Sequence, residues 1–137
     1  KFILLILIVF ILNLIWEFSH YSLYIDLTGI PKIPHLLIAS FTDMMIITGI
    51  FLLISLTNKN IKWIEEPSIK DCSVIVILSI LIASAIEIYS TNAGRWEYTS
   101  AMLTIFGIGL SPLIQLFVTS ILSLILFRLI FPKFSFS

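Results

Sequence analysis

Four long apolar stretches alternate with short polar links along the chain, and this pattern predicts four membrane-spanning helices. The predicted spans cover residues 2–27, 35–57, 71–90 and 112–131. Each is long enough to cross a hydrocarbon core of about 30 Å. Because short links favour antiparallel neighbours, we expect an all-α, polytopic membrane protein that folds as an up-down four-helix bundle. Residues 1–137 are expected to form a single transmembrane domain.

The first and the last apolar stretches each have a feature that a simple membrane span lacks. The last apolar stretch is interrupted by glycines and a proline at residues 107–112, and Pro112 suits the first turn of a helix because it lacks an N–H. We therefore predict a short membrane-dipping segment at residues 101–106 before the last span. The first stretch has the basic start of a signal peptide but no A-x-A cleavage site, so we expect a retained span. Asp71 is the expected N-cap of the third span.

Each apolar stretch also carries a stripe of polar residues on one helix face. The stripe of the first span comprises Asn13, Glu17, His20 and Tyr24. A charge at the bilayer centre costs roughly 2.5 kcal/mol or more, so such residues face protein, water or a ligand. Asp43, Glu87 and Gln115 hold corresponding positions in the other spans. We predict one polar cavity in the outer half of the bilayer, because five of these residues lie towards the same leaflet: Glu17, His20, Asp43, Glu87 and Gln115.

The composition predicts a membrane protein, and the distribution of basic residues predicts its orientation in the membrane. Mean hydropathy is +1.13, and only 12% of residues are charged, against about 25% in soluble proteins. One predicted side of the membrane holds Lys1, Lys59, Lys62, Lys70, Arg128 and Lys133, and the other holds Lys32 and Arg95. This asymmetry predicts cytoplasmic termini in a plasma or inner membrane. With one cysteine and no basic face, neither an intramolecular disulfide nor nucleic-acid binding is expected.

The motif Glu17-x-x-His20 is the strongest candidate for a reactive site. Its spacing places a carboxylate and an imidazole on one helix face. Three interpretations are open: ligation of a divalent metal ion, acid–base catalysis, and a structural hydrogen-bonded pair. Asp43 and Glu87 are the candidates for further metal ligands or acid–base partners. A haem held by His20 and His35 is a weaker alternative, since no other feature supports it.

The remaining candidate site residues are expected to bind or orient a substrate. They are Arg95, Trp96, Tyr98, Gln115, Asn13 and Tyr24. Arg95 is the basic residue nearest to the acids, so it can clamp an anionic headgroup or pair with one of three acids: Glu17, Glu87 or Glu97. Trp96 and Tyr98 are also typical of an aromatic belt at the membrane interface.

Three classes of function fit this pattern. The first is a membrane-embedded enzyme, metal-dependent or acid–base, that acts on a lipid-phase or outer-leaflet substrate. The second is a proton- or cation-coupled transporter component that works through Asp43 and Glu87. The third is an accessory subunit or homo-oligomer whose acids pair with a partner. The enzyme is the hypothesis that the clustering of titratable groups favours.

Overall fold

Four long helices make up most of the computed structural model, which describes residues 1–132. These helices are α1 (Phe2–His20), α2 (Lys32–Asn58), α3 (Ile69–Asn92) and α4 (Leu110–Ile130). Short strands are β1 (Tyr24–Asp26), β2 (Trp96–Tyr98), β3 (Thr104–Ile105) and β4 (Ile108–Gly109). Helices α2, α3 and α4, and α1 with the 3₁₀ turn Tyr21–Leu23 that follows it, are long and apolar enough to cross a membrane.

The first span is shorter than the sequence predicts. The α-helix ends at His20 rather than near residue 27, and the chain passes through the turn Tyr21–Leu23 into β1. Strand β1 pairs antiparallel with β2, with Ile25 opposite Glu97. The backbone groups of residues 24–26 are thereby satisfied by a strand from a distant link, which hydropathy alone does not reveal.

The start of α3 also differs from prediction. Ser68 is the N-cap and Asp71 lies three residues later. The Ser68 hydroxyl accepts the Asp71 N–H at 3.1 Å, and the Asp71 carboxylate accepts the Ser68 N–H at 2.9 Å. This is a capping box, in which the acid completes the cap from the first turn.

The predicted membrane-dipping segment, residues 101–106, contains the first strand and first turn residue of a β-hairpin formed by β3 and β4. Phe106 and Gly107 form its two-residue turn with φ of 50° and 78°, the positive values that a type I′ turn requires. Helix α4 begins directly after β4, and Pro112 lies in its first turn as expected. Whether the hairpin enters a membrane stays a prediction.

The helices pack around an apolar core. Helix α1 contacts α2 and α4, and α3 contacts α4 and α2. Side chains with at most 2% exposure in this core include Leu5, Val9, Ile47, Phe51, Ile75, Leu124 and Phe127. Many Ile and Leu side chains point away from it and are exposed, for example Leu81 at 61% and Leu129 at 71%. An exposed apolar surface of this kind is expected where helices face lipid.

The polar links gather at two ends of the molecule. We call one the sheet end, because the β1–β2 sheet there joins the end of α1 to the end of α3. At the sheet end, His20 contacts Ser111 in the first turn of α4, and Asp26 contacts His35 in the first turn of α2. The opposite end contains contacts between Lys1 and Glu65 and between Asn58 and Asp71.

Candidate functional site

A cavity of about 210 Å³ lies at the sheet end, between all four long helices. All but two of the candidate site residues line it: Glu17, His20, Tyr24, Asp43, Glu87, Arg95, Trp96 and Gln115. The exceptions, Asn13 and Tyr98, are hydrogen-bonded to lining residues instead. The polar stripes therefore converge, because each amphipathic face turns its polar side chains away from the apolar surroundings.

Gln115 joins two acidic side chains from different helices. Its Nε2 lies 2.8 Å from Glu17 Oε1 and 2.8 Å from Asp43 Oδ2. The same nitrogen is 3.2 Å from Asn13 Oδ1, so two amide hydrogens serve three acceptors. The two carboxyl oxygens are separated by no more than twice 2.8 Å. Two carboxylates so close together in a low-dielectric site require a positive charge between or beside them, whether a shared proton, a cation or an imidazolium.

His20 lies between Glu17 and a serine hydroxyl. The side chain is buried, with 6% exposure. Its Nε2 is 3.3 Å from Glu17 Oε2, and its Nδ1 is 2.8 Å from Ser111 Oγ. The indole N–H of Trp16 donates to the same Ser111 oxygen at 3.2 Å. The predicted Glu17–His20 pair therefore extends to a nucleophile-type side chain in α4.

Sequence reasoning missed Ser111, which contacts His20 but does not itself line the cavity. The available signal was its position as the first member of a stripe that repeats every four residues, with Gln115, Thr119 and Ser123. Such hydroxyls usually bond to their own helix backbone, as Thr119 and Ser123 do here. The packing of α1 against α4 brings Ser111 to His20, whereas Gln115 and Thr119 of the same stripe meet Asn13.

Glu87 is held by neutral donors rather than by Arg95. Its Oε2 accepts the Tyr98 hydroxyl at 2.6 Å and the Trp96 indole N–H at 3.2 Å. In the described residues no ion pair joins Glu87 to Arg95, whose guanidinium lies 5.5 Å from the centre of the Trp96 ring. Arg95 therefore makes a cation–π contact with Trp96, and both residues line the cavity.

Aromatic rings form one wall of the site. The Tyr24 ring lies 5.2 Å from the His20 ring, 5.9 Å from Trp96 and 5.7 Å from Tyr98, measured between ring centres. Burial, and then the charge of Glu87, raises the pKa of Tyr24. Burial and the hydrogen bond to Glu87 likewise raise the pKa of Tyr98. Both phenols therefore remain protonated and can act as hydrogen-bond donors.

A second polar cluster, which the sequence analysis did not predict, lies around Asp26 at the sheet end. His35 Nδ1 is 2.6 Å from Asp26 Oδ2, and the same oxygen accepts the Tyr21 hydroxyl at 3.0 Å. The other oxygen of Asp26 accepts the Thr28 N–H and hydroxyl at 2.9 and 2.6 Å. Although burial opposes it, the combined hydrogen bonds from Thr28, His35 and Tyr21 hold the pKa of Asp26 well below its usual range. His35 is thereby engaged with Asp26 rather than with His20.

The predicted metal site receives no support from the arrangement of these side chains. Among residues 1–132, no group of three or more His, Cys, Asp or Glu side chains is placed to hold a metal ion. Glu17, His20 and Asp43 are neighbours, but Glu87 is bonded to Trp96 and Tyr98. Metal ligation by these residues stays a prediction.

Comparisons of the chain with protein-family models, curated proteins and solved structures found no match. The function is therefore argued from the geometry of the site.

Proposed function

We propose that the protein is a membrane-embedded enzyme that uses His20 for acid–base chemistry on a lipid-phase substrate. The observation that carries this proposal is the position of the imidazole. It is buried beside the cavity, with Glu17 on one ring nitrogen and the Ser111 hydroxyl on the other. A base held by a carboxylate within hydrogen-bond reach of a hydroxyl meets the geometric requirement for general acid–base catalysis.

The surrounding residues have complementary roles in this proposal. Glu17 orients the imidazole and stabilises the positive charge that forms when His20 accepts a proton. Gln115 fixes Glu17 against Asp43, which is the second carboxyl group of the site. Arg95 and Trp96 line the cavity, and the exposed Arg95 would meet a polar headgroup. The apolar side chains that line the cavity suit the hydrocarbon part of a lipid.

The proposal places the site near the outer surface of the membrane. We propose that the four helices cross as an antiparallel up-down bundle with both termini on the cytoplasmic side. The described basic residues of the end opposite the sheet are Lys1, Lys59, Lys62, Lys70 and Arg128, and Lys133 lies outside the described residues. The sheet end has Lys32 and Arg95. The excess of basic residues marks the cytoplasmic side, so the cavity would face the outer leaflet.

The two alternative functions have less support. A transporter needs a polar path through the other half of the bundle, but Leu5, Ile47, Phe51 and Phe127 are packed there with at most 1% exposure. An accessory subunit was expected to pair its acids with a partner. Within the described residues, the acids of the cavity already find donors in their own chain.

Lipid turnover in proteoliposomes tests the proposal. Wild-type protein, His20→Ala and the control Ser73→Ala would be reconstituted in a mixed natural lipid extract and followed by lipid mass spectrometry. Ser73 is exposed near the start of α3, and within the described residues its hydroxyl bonds only to the carbonyl of Ile69. We expect wild type and the control to convert at least one lipid species, and His20→Ala to do so about 100-fold more slowly or worse. No conversion by wild type, or equal conversion by His20→Ala, would overturn the proposal.

A further inference from the structure

The hydrogen bonds around His20 form a chain with one consistent direction. Trp16 Nε1 can only donate, so Ser111 Oγ accepts from it at 3.2 Å. The Ser111 hydroxyl hydrogen is then free to donate to His20 Nδ1 at 2.8 Å. His20 carries its own proton on Nε2 and donates it to Glu17 Oε2 at 3.3 Å. In this tautomer, which is assigned from the network, every donor has an acceptor.

The opposite tautomer fits less well. With the proton on Nδ1, both His20 and Trp16 would donate to Ser111, and the described hydrogen bonds give the serine hydrogen no other acceptor. The nitrogen Nε2 would then face Glu17 without a proton between them unless Glu17 supplied one. The tautomer with the proton on Nε2 therefore leaves fewer polar groups without a hydrogen-bond partner, which is the energetically favoured arrangement.

We infer that Ser111, His20 and Glu17 form a nucleophile–base–carboxylate triad that transfers the acyl group of a lipid-phase carboxylic ester through Ser111. This inference rests on the proposed acid–base function and adds the nucleophile and the substrate class to it. The roles follow the general logic of such triads, in which a base activates the hydroxyl and a third group orients the base. In the commonest triads Nε2 faces the nucleophile and Nδ1 faces the carboxylate. Here Nδ1 faces Ser111 and Nε2 faces Glu17, which is chemically permitted because either nitrogen can accept a proton.

The position of Ser111 at the start of α4 supplies a donor for the oxyanion. Helix geometry leaves the first N–H groups of α4 without partners inside the helix. The N–H of Leu110 is bonded to the Leu103 carbonyl at 2.7 Å, and Pro112 has no N–H. The N–H of Ser111 itself is therefore the donor closest to the reacting hydroxyl. A positive helix end and a backbone N–H both stabilise a developing oxyanion.

The reaction balances without a redox partner. Ser111 Oγ forms a bond to the ester carbonyl carbon while its proton moves to His20 Nδ1. The ester C–O bond then breaks, and the leaving alcohol takes that proton from His20. Water or a second alcohol attacks the acyl-serine in the same way, which releases the acyl group and restores the Ser111 hydroxyl. Glu17 stays ionised throughout and stabilises the transient imidazolium.

The surroundings of Ser111 favour an ester with an apolar acyl chain. Ser111 is partly exposed, and the residue before it, Leu110, donates its N–H to the carbonyl of Leu103, whose apolar side chain is 71% exposed. A substrate that approaches from the bilayer meets this apolar surface first. Its carbonyl group, which lies near the membrane interface in glycerolipids, would reach the hydroxyl at the sheet end.

Covalent labelling tests the inference directly. Purified protein in lipid nanodiscs would be treated with an alkyl fluorophosphonate, and the modified peptide identified by mass spectrometry. We expect one adduct, on Ser111, with no adduct in Ser111→Ala and labelling at least ~100-fold slower in His20→Gln. The control Ser120→Ala should label like wild type, because among residues 1–132 the Ser120 hydroxyl bonds only to the Leu116 carbonyl.

The outcomes separate this inference from the proposed function. No adduct on Ser111 in folded wild type, or undiminished labelling of His20→Gln, would overturn the triad. Lipid turnover that persists in Ser111→Ala but disappears in His20→Ala would also overturn the nucleophile while leaving the acid–base function in place. Thermal unfolding of each variant shows whether it folds. If Ser111→Ala does not fold, Ser111→Thr should fold and label far more slowly, and unchanged labelling of that variant would count against the triad.

Discussion

At the residue scale, the site depends on a few side chains that each satisfy several partners. Gln115 is the clearest case, since one amide nitrogen serves Glu17, Asp43 and Asn13. The side chain has only 4% exposure, so water cannot easily replace it. Removing such a donor leaves buried acceptors unsatisfied, which costs more than a single hydrogen bond is worth.

We therefore predict that Gln115→Leu is destabilising. Leucine has similar bulk but offers no donor to Glu17 and Asp43, so the expected loss is roughly 2 kcal/mol. Denaturation in detergent or nanodiscs measures it, with Ser120→Ala as a control that removes a buried hydroxyl bonded to its own helix. Equal stability of the two variants would show that Gln115 is not the link between the carboxyl groups.

Asp26 gives a prediction for the dependence of stability on pH. Because hydrogen bonds from Thr28, His35 and Tyr21 depress its folded-state pKa below the ordinary value of 3.8, ionised Asp26 stabilises the fold above about pH 4. That contribution is lost as pH falls from about 4 through the folded-state pKa. The wild-type melting temperature should consequently fall more steeply than that of Asp26→Asn over this acidic range. Parallel curves would contradict the role given to Asp26.

At the scale of secondary-structure elements, the β1–β2 sheet organises the site. It ties the end of α1 to the end of α3 and positions Tyr24 and Trp96 on the cavity. Two backbone hydrogen bonds extend the pairing, from Leu27 to Arg95 and from Thr99 to Leu23. A two-stranded ribbon is marginal by itself, so its stability here depends on the helices that it joins.

A disulfide across this sheet tests the pairing. In a Cys72→Ser background, Ile25→Cys and Glu97→Cys place thiols on directly opposed residues, whose Cβ atoms lie about 4.5–5.5 Å apart in such pairs. Oxidation should join them efficiently. The control pair Ile30→Cys and Glu97→Cys is out of register and should cross-link poorly. Equal cross-linking of both pairs would contradict the sheet.

The four helices could be predicted from sequence because apolar runs long enough to cross the hydrocarbon core are typical of membrane-spanning helices. The strands could not, since each has two or three residues and depends on a partner distant in the chain. The same limit applies within the site. Polar stripes predict that Glu17, Asp43 and Gln115 face inwards, but not that Ser111 would contact His20, 91 positions away.

At the scale of the whole molecule, polarity is distributed unevenly between the two ends. The sheet end contains the cavity and its acids, whereas the other half of the bundle is closed by packed apolar side chains. With the cytoplasmic side assigned from basic residues, the account predicts a site open to the outer leaflet. This arrangement fits chemistry on a lipid better than passage of a solute.

Cysteine accessibility tests that orientation. In the Cys72→Ser background, single variants Lys59→Cys and Glu97→Cys place exposed thiols at the two ends. In intact cells, a membrane-impermeant maleimide should modify Glu97→Cys and leave Lys59→Cys unmodified until the cells are broken. The reverse pattern would place the site on the cytoplasmic side, and modification of both in intact cells would contradict a transmembrane bundle.

The proposed chemistry depends on His20 being a base held between Ser111 and Glu17. The most direct measurement is ¹⁵N NMR of protein labelled at histidine, because the chain has only two histidines and His35→Gln leaves His20 as the single source of signal. We expect an unprotonated Nδ1 and a protonated Nε2, with the Nδ1 signal changing in Ser111→Ala and the Nε2 signal changing in Glu17→Gln. A proton on Nδ1, or ring signals that neither variant alters, would contradict it.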